Sequence, residues 1–427
     1  MALVGGFVLR AVALAGVALT LLAAPAIAAQ QAGALDPSYG NGGRVVLPVG
    51  DNAEATAFAL QPDDRALIGG VAIFGAEERF AIARLTTQGT PDDTFGDGGV
   101  ASAKVGVAVN ALFALAVQPD GKIVAAGTAD PGSGNTSFAV ARFLPDGTLD
   151  QSFGDHGTVV TSFVGSAQAV AIQPDGKIIL AGEHVQLPSL HFDFGLARLE
   201  PNGDLDASFG NGGTVTTPFP TGDSQALGVA LDRQGRIVAA GGAGQPGHSV
   251  FALARYLDSG GLDSGFGDNG LVTTPLGDGA AAAEALAIQP NGRIVAAGRD
   301  ASGRFALVRY RPDGSLDGSF GDSGIVGTPI GSAAVAFGLD TRSGARIVAA
   351  GSTTTGDQTD FALATYQPAG KLDKHFGQNG IVTTPFPGLS TQIQGVAYTS
   401  DGKLVAGGNA SDAANHGEFA AARYFGR

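Results

Sequence analysis

The chain has 427 residues, 68 of them glycine and none cysteine, and its formal net charge is −14, from 25 Lys+Arg against 39 Asp+Glu. An acidic balance of that size excludes nucleic-acid recognition through phosphates, which needs a basic face, and opposes adsorption to anionic lipid. Without cysteine there is neither a disulfide framework nor a thiolate metal site.

Residues 1–29 differ in kind from the rest of the chain. Arg10 is their only charge, Ala11 to Ala24 is an apolar run, and Pro25 breaks it before the small-residue pattern Ala26-Ile27-Ala28. That is the order of a signal peptide with its cleavage site, and the run is short of the ~20 residues a spanning helix needs. The expectation is a signal peptide over 1–29 and a single repeat domain over 30–427. The mature chain is then exported to the periplasm, the cell surface or the medium, as a monomer with no membrane span.

From residue 35 onward one stretch recurs seven times. The aromatic of its Phe-Gly step (Tyr-Gly in the first copy) falls at Tyr39, Phe95, Phe153, Phe209, Phe266, Phe320 and Phe376, at intervals of 56, 58, 56, 57, 54 and 56 residues. So regular a recurrence marks an array of equivalent structural units. In the copy over 285–329, Ala285-Leu-Ala-Ile-Gln is followed by a Pro-Asn-Gly turn, then Ile294-Val-Ala-Ala-Gly and Phe305-Ala-Leu-Val-Arg-Tyr. A Pro-Asp-Gly turn, a Leu-Asp-Gly-Ser-Phe-Gly crossing and Ile325-Val-Gly-Thr-Pro complete it. Short apolar runs bounded by Gly, Pro, Asn and Asp are strands and hairpins. No helical period of useful length occurs after Ala29.

Four strands per unit, seven times over, predict an all-β fold, a seven-bladed β-propeller of four-stranded antiparallel blades. The Ala-rich first strand suits a crowded axis. The Thr-Pro strand, ending at Pro218, Pro275, Pro329 or Pro385, suits an edge, because proline cannot donate to a ladder. The last copy ends with a third strand at Arg423-Tyr424, whereas the chain begins with an outer-type strand. Residues 44–49 are therefore expected to pair with 419–424, closing the ring and removing a free edge.

Gln118 to Gly127, Phe251 to Tyr256 and Leu205 to Gly210 together resemble the delta-60 repeat of exported bacterial proteins. The resemblance covers residues 35–427. It implies a β-propeller-type domain in a secreted or surface setting, with no cofactor, no enzymatic activity and no functional residues to carry over. Thr365 in place of the repeat arginine, Ala345 in an enlarged turn and Pro91-Asp92 in place of Leu-Asp depart from the pattern.

The most reactive-looking residues are the recurrent Arg84, Arg142, Arg198, Arg255, Arg309 and Arg423, and the aspartates Asp36, Asp92, Asp150, Asp206, Asp263, Asp317 and Asp373. A catalytic group is needed once, so their recurrence points to structure: a bidentate Arg–carboxylate pair tying each blade to its crossing loop. The blade carrying Thr365 then needs compensation. Asp146, Asp150 and Asp155 sit in turns without the EF-hand pattern, where Asp and Gly serve backbone geometry. His184, His191 and Asp193, beside Glu183, are the candidate metal ligands. Glu54, Glu183 and Glu284 are the acids near blade junctions.

Two turns per unit stay nearly constant, while the other two connections vary in length and chemistry. Alternate connections emerge on opposite faces, so the variable ones share a face, and loops on a rigid scaffold are where binding residues concentrate. Phe74, Phe163, His184, His191, Phe219 and Phe386 are the candidate contacts there. The expectation is a binding or scaffold protein for a glycan, peptide or envelope component. The alternatives are a hydrolase or lyase at the axis and a purely structural surface module.

Overall fold

The computed structural model describes residues 31–341 and 346–426; the leader expected over 1–29 and the turn at Ala345 lie outside them. Regular structure in the described residues is entirely β-strand, and no helix there is long and apolar enough to cross a membrane.

Each repeat folds as an antiparallel meander. In the fourth, Asp223–Leu231, Ile237–Gln245, His248–Tyr256 and Leu271–Thr274 form a sheet in chain order, and the first, fifth and sixth copies do the same. The Ala-rich first strands contact one another from unit to unit, and Ser390–Tyr398 of the last unit contacts Asn52–Leu60 of the first. The strands that end at Thr-Pro (Pro218, Pro275, Pro329 and Pro385) are sheet edges, and the Ile-Val-Ala-Ala-Gly strand is buried throughout.

The apolar cores lie between units. One cluster packs Ala57, Leu67 and Ile82 of the first unit against Leu112, Ile123 and Ala139 of the second. Another packs Ile68 and Ala83 of the first unit against Val405, Phe419 and Ala421 of the last. Burying each large apolar side chain contributes roughly 1.5–3 kcal/mol, so no unit is stable without a neighbour.

One boundary departs from expectation. Residues 163–168, read as a variable loop, lie within the continuous strand Thr158–Ile172, which is the edge of the second unit and the first strand of the third. Four of the other edge strands stop at a Thr-Pro step and Arg44–Leu47 stops at Pro48, whereas Thr161-Ser-Phe-Val, like Val100–Ala103, has no proline to end its ladder.

The N-terminal strand Arg44–Leu47 pairs with the last unit in the register Arg44↔Ala422 to Leu47↔Phe419. Upstream residues complete the same unit, since Gly33 donates to Phe425 O (2.7 Å) and Phe425 to Ala34 O (2.9 Å).

The repeat motif is an inter-unit stitch. Arginine Nε donates to aspartate Oδ2 eight residues on, at 2.8 Å for Arg84–Asp92, 2.9 Å for Arg142–Asp150 and 2.6 Å for Arg198–Asp206. Arg255–Asp263 (2.9 Å) and Arg309–Asp317 (2.8 Å) repeat it, and Arg423 reaches Asp36 from the opposite end of the sequence (2.9 Å). The expected bidentate fork does not form in the pairs eight residues apart. Aspartate Oδ1 is taken by a Thr or Ser two residues on, as at Asp92 and Asp150, and Nη1 turns to a carbonyl of the next unit. Arg84 reaches Pro145 O (2.6 Å), Arg142 reaches Pro201 O (2.5 Å), and Arg423 of the last unit reaches Thr87 O of the first.

Each guanidinium also lies over the ring of the Phe-Gly step, at 4.3 Å for Arg142 and Phe153, a cation–π contact. The glycine after that aromatic has positive φ, +57° at Gly96, where a Cβ would stand 2.1 Å from Val100 O. Its N–H donates to the turn of the next unit: Gly96 to Asp146 O, Gly377 to Ala32 O, Gly40 to Gln88 O, each at 2.8 Å.

Each aspartate meets a second cation from the first hairpin turn, Lys122 for Asp150 (3.3 Å) and Lys403 for Asp36 (3.1 Å). Where Thr365 replaces the arginine, Arg346 at that turn position reaches Asp373 at 3.2 Å.

Candidate functional site

The antiparallel succession puts the hairpins joining second to third strands, and the connections from one unit to the next, at the same end of the sheets. Backbone bonds tie the two sets together: Asp51 N–H to Ile73 O (2.7 Å), Ala281 N–H to Ser249 O (3.0 Å), Ser332 N–H to Thr354 O (2.9 Å).

The aromatics proposed as contacts on this face lie beneath it. Phe163, Phe219 and Phe386 are buried and Phe74 is half-buried. Phe163 meets Phe138 edge-on at 5.1 Å, Phe219 packs on Phe194 at 4.7 Å, and Phe386 packs on Phe361 at 4.9 Å. An exposed phenylalanine gains nothing from water, and these three cap the apolar clusters between units.

The exposed apolar groups at this end are others: Leu187 (50% exposed), Leu190 (62%) and Phe192 (37%) at the hairpin joining Ile178–Gln186 to His191–Leu199, and Val107 and Val109 in the connection from the first unit to the second. Phe192 borders a groove of about 510 Å³ that also takes in Glu183, Asp223, Gln225, Gln245 and Ser249. Burial pushes the Glu183 carboxyl up, against a hydrogen bond from Ser166 that lowers it.

The candidate metal ligands do not converge. His184 stacks on Phe163 at 4.3 Å and its Nδ1 bonds Val164 O at 2.9 Å. His191 stands between two carboxylates, with Nε2 3.3 Å from Asp193 Oδ1 and Nδ1 on Asp223 Oδ1. Among the described residues no group of three His, Asp or Glu is arranged to hold a metal. His191 instead staples the hairpin to the next unit.

A second concavity, of about 410 Å³, draws on the innermost strands of all seven units. Every one of those strands has a register shift that leaves one residue out of its ladder: Thr56, Phe113, Gln168, Leu227, Glu284, Phe337 and Gln394. All seven line the cavity. A bulge re-aims a side chain, and it is followed by Ala or Gly in every copy (Ala57, Ala114, Ala169, Gly228, Ala285, Gly338, Gly395). The scaffold is thus constant around a position whose chemistry changes from unit to unit.

Glu284 is the only titratable residue in this lining. Burial pushes its carboxyl up to about 7, with Arg299 on the neighbouring strand opposing the shift. Of the other acids noted at unit junctions, Glu54 is exposed and Glu183 belongs to the groove. Sequence reading missed the bulge ring. Aligning the seven copies on the Ala or Gly after each bulge would have found it, as a variable position directly before a constant small residue.

Five segments, 61–95, 118–153, 173–209, 289–320 and 346–376, match the family described as a domain of unknown function (DUF5122) beta-propeller. Each runs from the first hairpin turn to the aromatic of the Phe-Gly step, the stretch that makes the stitch. The fourth and seventh copies are unmatched, and the seventh is divided between the chain ends. No curated protein matches this sequence.

Among solved structures, a protein of unknown function from Dyadobacter fermentans is similar over 92% of this chain and 100% of its own, at 11% identity and TM-score 0.47. The polysaccharide lyase Uly1 is similar over 91% of each chain, at 11% identity and TM-score 0.47. Sqt1 from Chaetomium thermophilum is similar over 89% of this chain and 98% of its own, at 13% identity and TM-score 0.45. With five matched repeats and four-stranded antiparallel sheets built on the same motif, this chain is a β-propeller repeat protein.

Proposed function

We propose that the chain is an exported, monomeric protein of the delta-60 repeat type, a closed seven-bladed propeller that binds a glycan, peptide or other cell-envelope partner through its variable-loop face. Closure is supported by stitches that return from the last unit to the first, at Arg423–Thr87 and Gly40–Gln88. The observation that carries the binding reading is the hairpin bearing Leu187, Leu190 and Phe192 beside a groove edged by Glu183, Asp223, Gln225 and Gln245. An apolar patch rimmed by polar groups marks an interaction site, whereas a purely structural module has no use for one. Glycoside hydrolysis needs two carboxyl groups across one bond, and the axial lining supplies Glu284 alone.

The test is retention on a glycan array, a peptide array and isolated cell-envelope material, for the natural chain against Leu187→Ser/Leu190→Ser/Phe192→Ser. Retention on one of these classes, lost in the triple variant, is the expected result. Absence of retention, or equal retention of both proteins, overturns the loop-face reading.

A further inference from the structure

The bulge ring is a different surface from the loop hairpins, although groove and axial cavity meet at Leu227. Nothing in the fold requires the identities of the bulged residues, since the same strand is built with Thr, Phe, Gln, Leu or Glu at that position. Gln168, Gln392 and Gln394 bring three primary amides to one cavity, and neither these amides nor the Glu284 carboxyl is hydrogen-bonded to a described residue. A primary amide both donates and accepts, so three of them complement groups that do the same. Hydroxyls do; ammonium only donates, and carboxylate only accepts. Phe113 and Phe337 add two apolar ring surfaces to the same lining. The volume lies in the range of small-molecule sites.

We propose that the axial bulge ring binds a neutral polyhydroxylated ligand, a mono- or disaccharide or the end of a longer glycan. Its hydroxyls bond Gln168, Gln392, Gln394 and Glu284, and its C–H faces pack on Phe113 and Phe337. The site deepens the binding reading and rests on it for the class of partner, but places the contact on the axis. The Glu284 carboxyl is poised near neutrality to donate as well as accept. Arg299 is the charged group opposing it from the adjoining strand, while Asp223 and Asp340, on the flanking innermost strands, are engaged with His191 and with Tyr398 N–H.

Isothermal titration of the full chain with glucose, galactose, N-acetylglucosamine and their β-1,4-linked disaccharides, and with n-butylammonium as a charged probe, tests this. At least one sugar is expected to bind at about 10 mM or tighter. Gln168→Ala/Gln394→Ala and Phe113→Ala/Phe337→Ala should each weaken it by about tenfold or more, Glu284→Gln by no more than about threefold. The Leu187/Leu190/Phe192 variant should bind sugar unchanged, which separates failure of the axial site from failure of the loop face. If the phenylalanine pair does not fold, the glutamine pair, judged by an unchanged thermal melt, carries the test. No sugar binding, sugar binding indifferent to the axial variants, or binding of n-butylammonium alone and lost in Glu284→Gln would overturn the proposal.

Discussion

Asp150 shows how much of the molecule is carried by single ionic contacts. Its carboxylate faces Arg142 at 2.9 Å and Lys122 at 3.3 Å, with Ser152 on the other oxygen. Arg142→Ala leaves that buried carboxylate with a longer, half-exposed partner and removes the bond to Pro201 O. Breaking a buried pair from one side costs about 3–5 kcal/mol, so chemical denaturation should show a loss of that order, and Lys122→Ala a smaller one. Thr365 supplies the natural comparison, because Arg346 keeps Asp373 paired there, although Thr365 Oγ1 is itself buried without a partner.

The carboxyls also set opposing pH dependences. Burial alone would raise Asp36 and Asp150, but hydrogen bonds from Ser38 and Ser152 and the cations beside them outweigh it and hold both at about 2. Their contribution is complete above the ordinary carboxylate range and is lost as pH falls through about 2. Glu284 works the other way: raised to about 7, it costs stability as pH climbs from its ordinary range through neutrality. Thermal melts should therefore show Glu284→Gln stabilised at pH 8 and unchanged at pH 4.5. Equal effects at both values would sink the assignment.

At the scale of elements, the N-terminal segment serves as outer strand, turn and crossing loop for the last unit. Asp36, Gly40 and Arg44–Leu47 take the places that Asp92, Gly96 and Val100–Ala103 hold in the first. Deleting residues 31–47 removes the partner of Arg423, uncovers the edge of Gly417–Tyr424 and opens the cluster around Phe419. The melting temperature should fall by about ten degrees or more, on the order of what several kcal/mol produce in a chain of this size. An unchanged melt would mean that the clasp contributes nothing. The strand order was legible beforehand because proline and alanine mark edge and axis, whereas a ladder without a closing proline stops at Ala103 in one copy and runs on through Thr158–Ile172 in the next, and the local sequence does not separate the two.

Over the whole molecule, the sequence by itself determined the repeat, its all-β character, the strand order and the pairing of the two chain ends. Those features arise from local backbone preferences and from a motif spaced at nearly constant intervals, which one chain displays in full. Only the tertiary structure decided that Arg346 keeps Asp373 paired where the arginine is missing at position 365, that Phe163, Phe219 and Phe386 face inward, and that seven bulged residues from seven units share one cavity. Such facts depend on which residues meet after strands from distant parts of the sequence come together, and a single extra residue in a ladder reverses where every neighbouring side chain points.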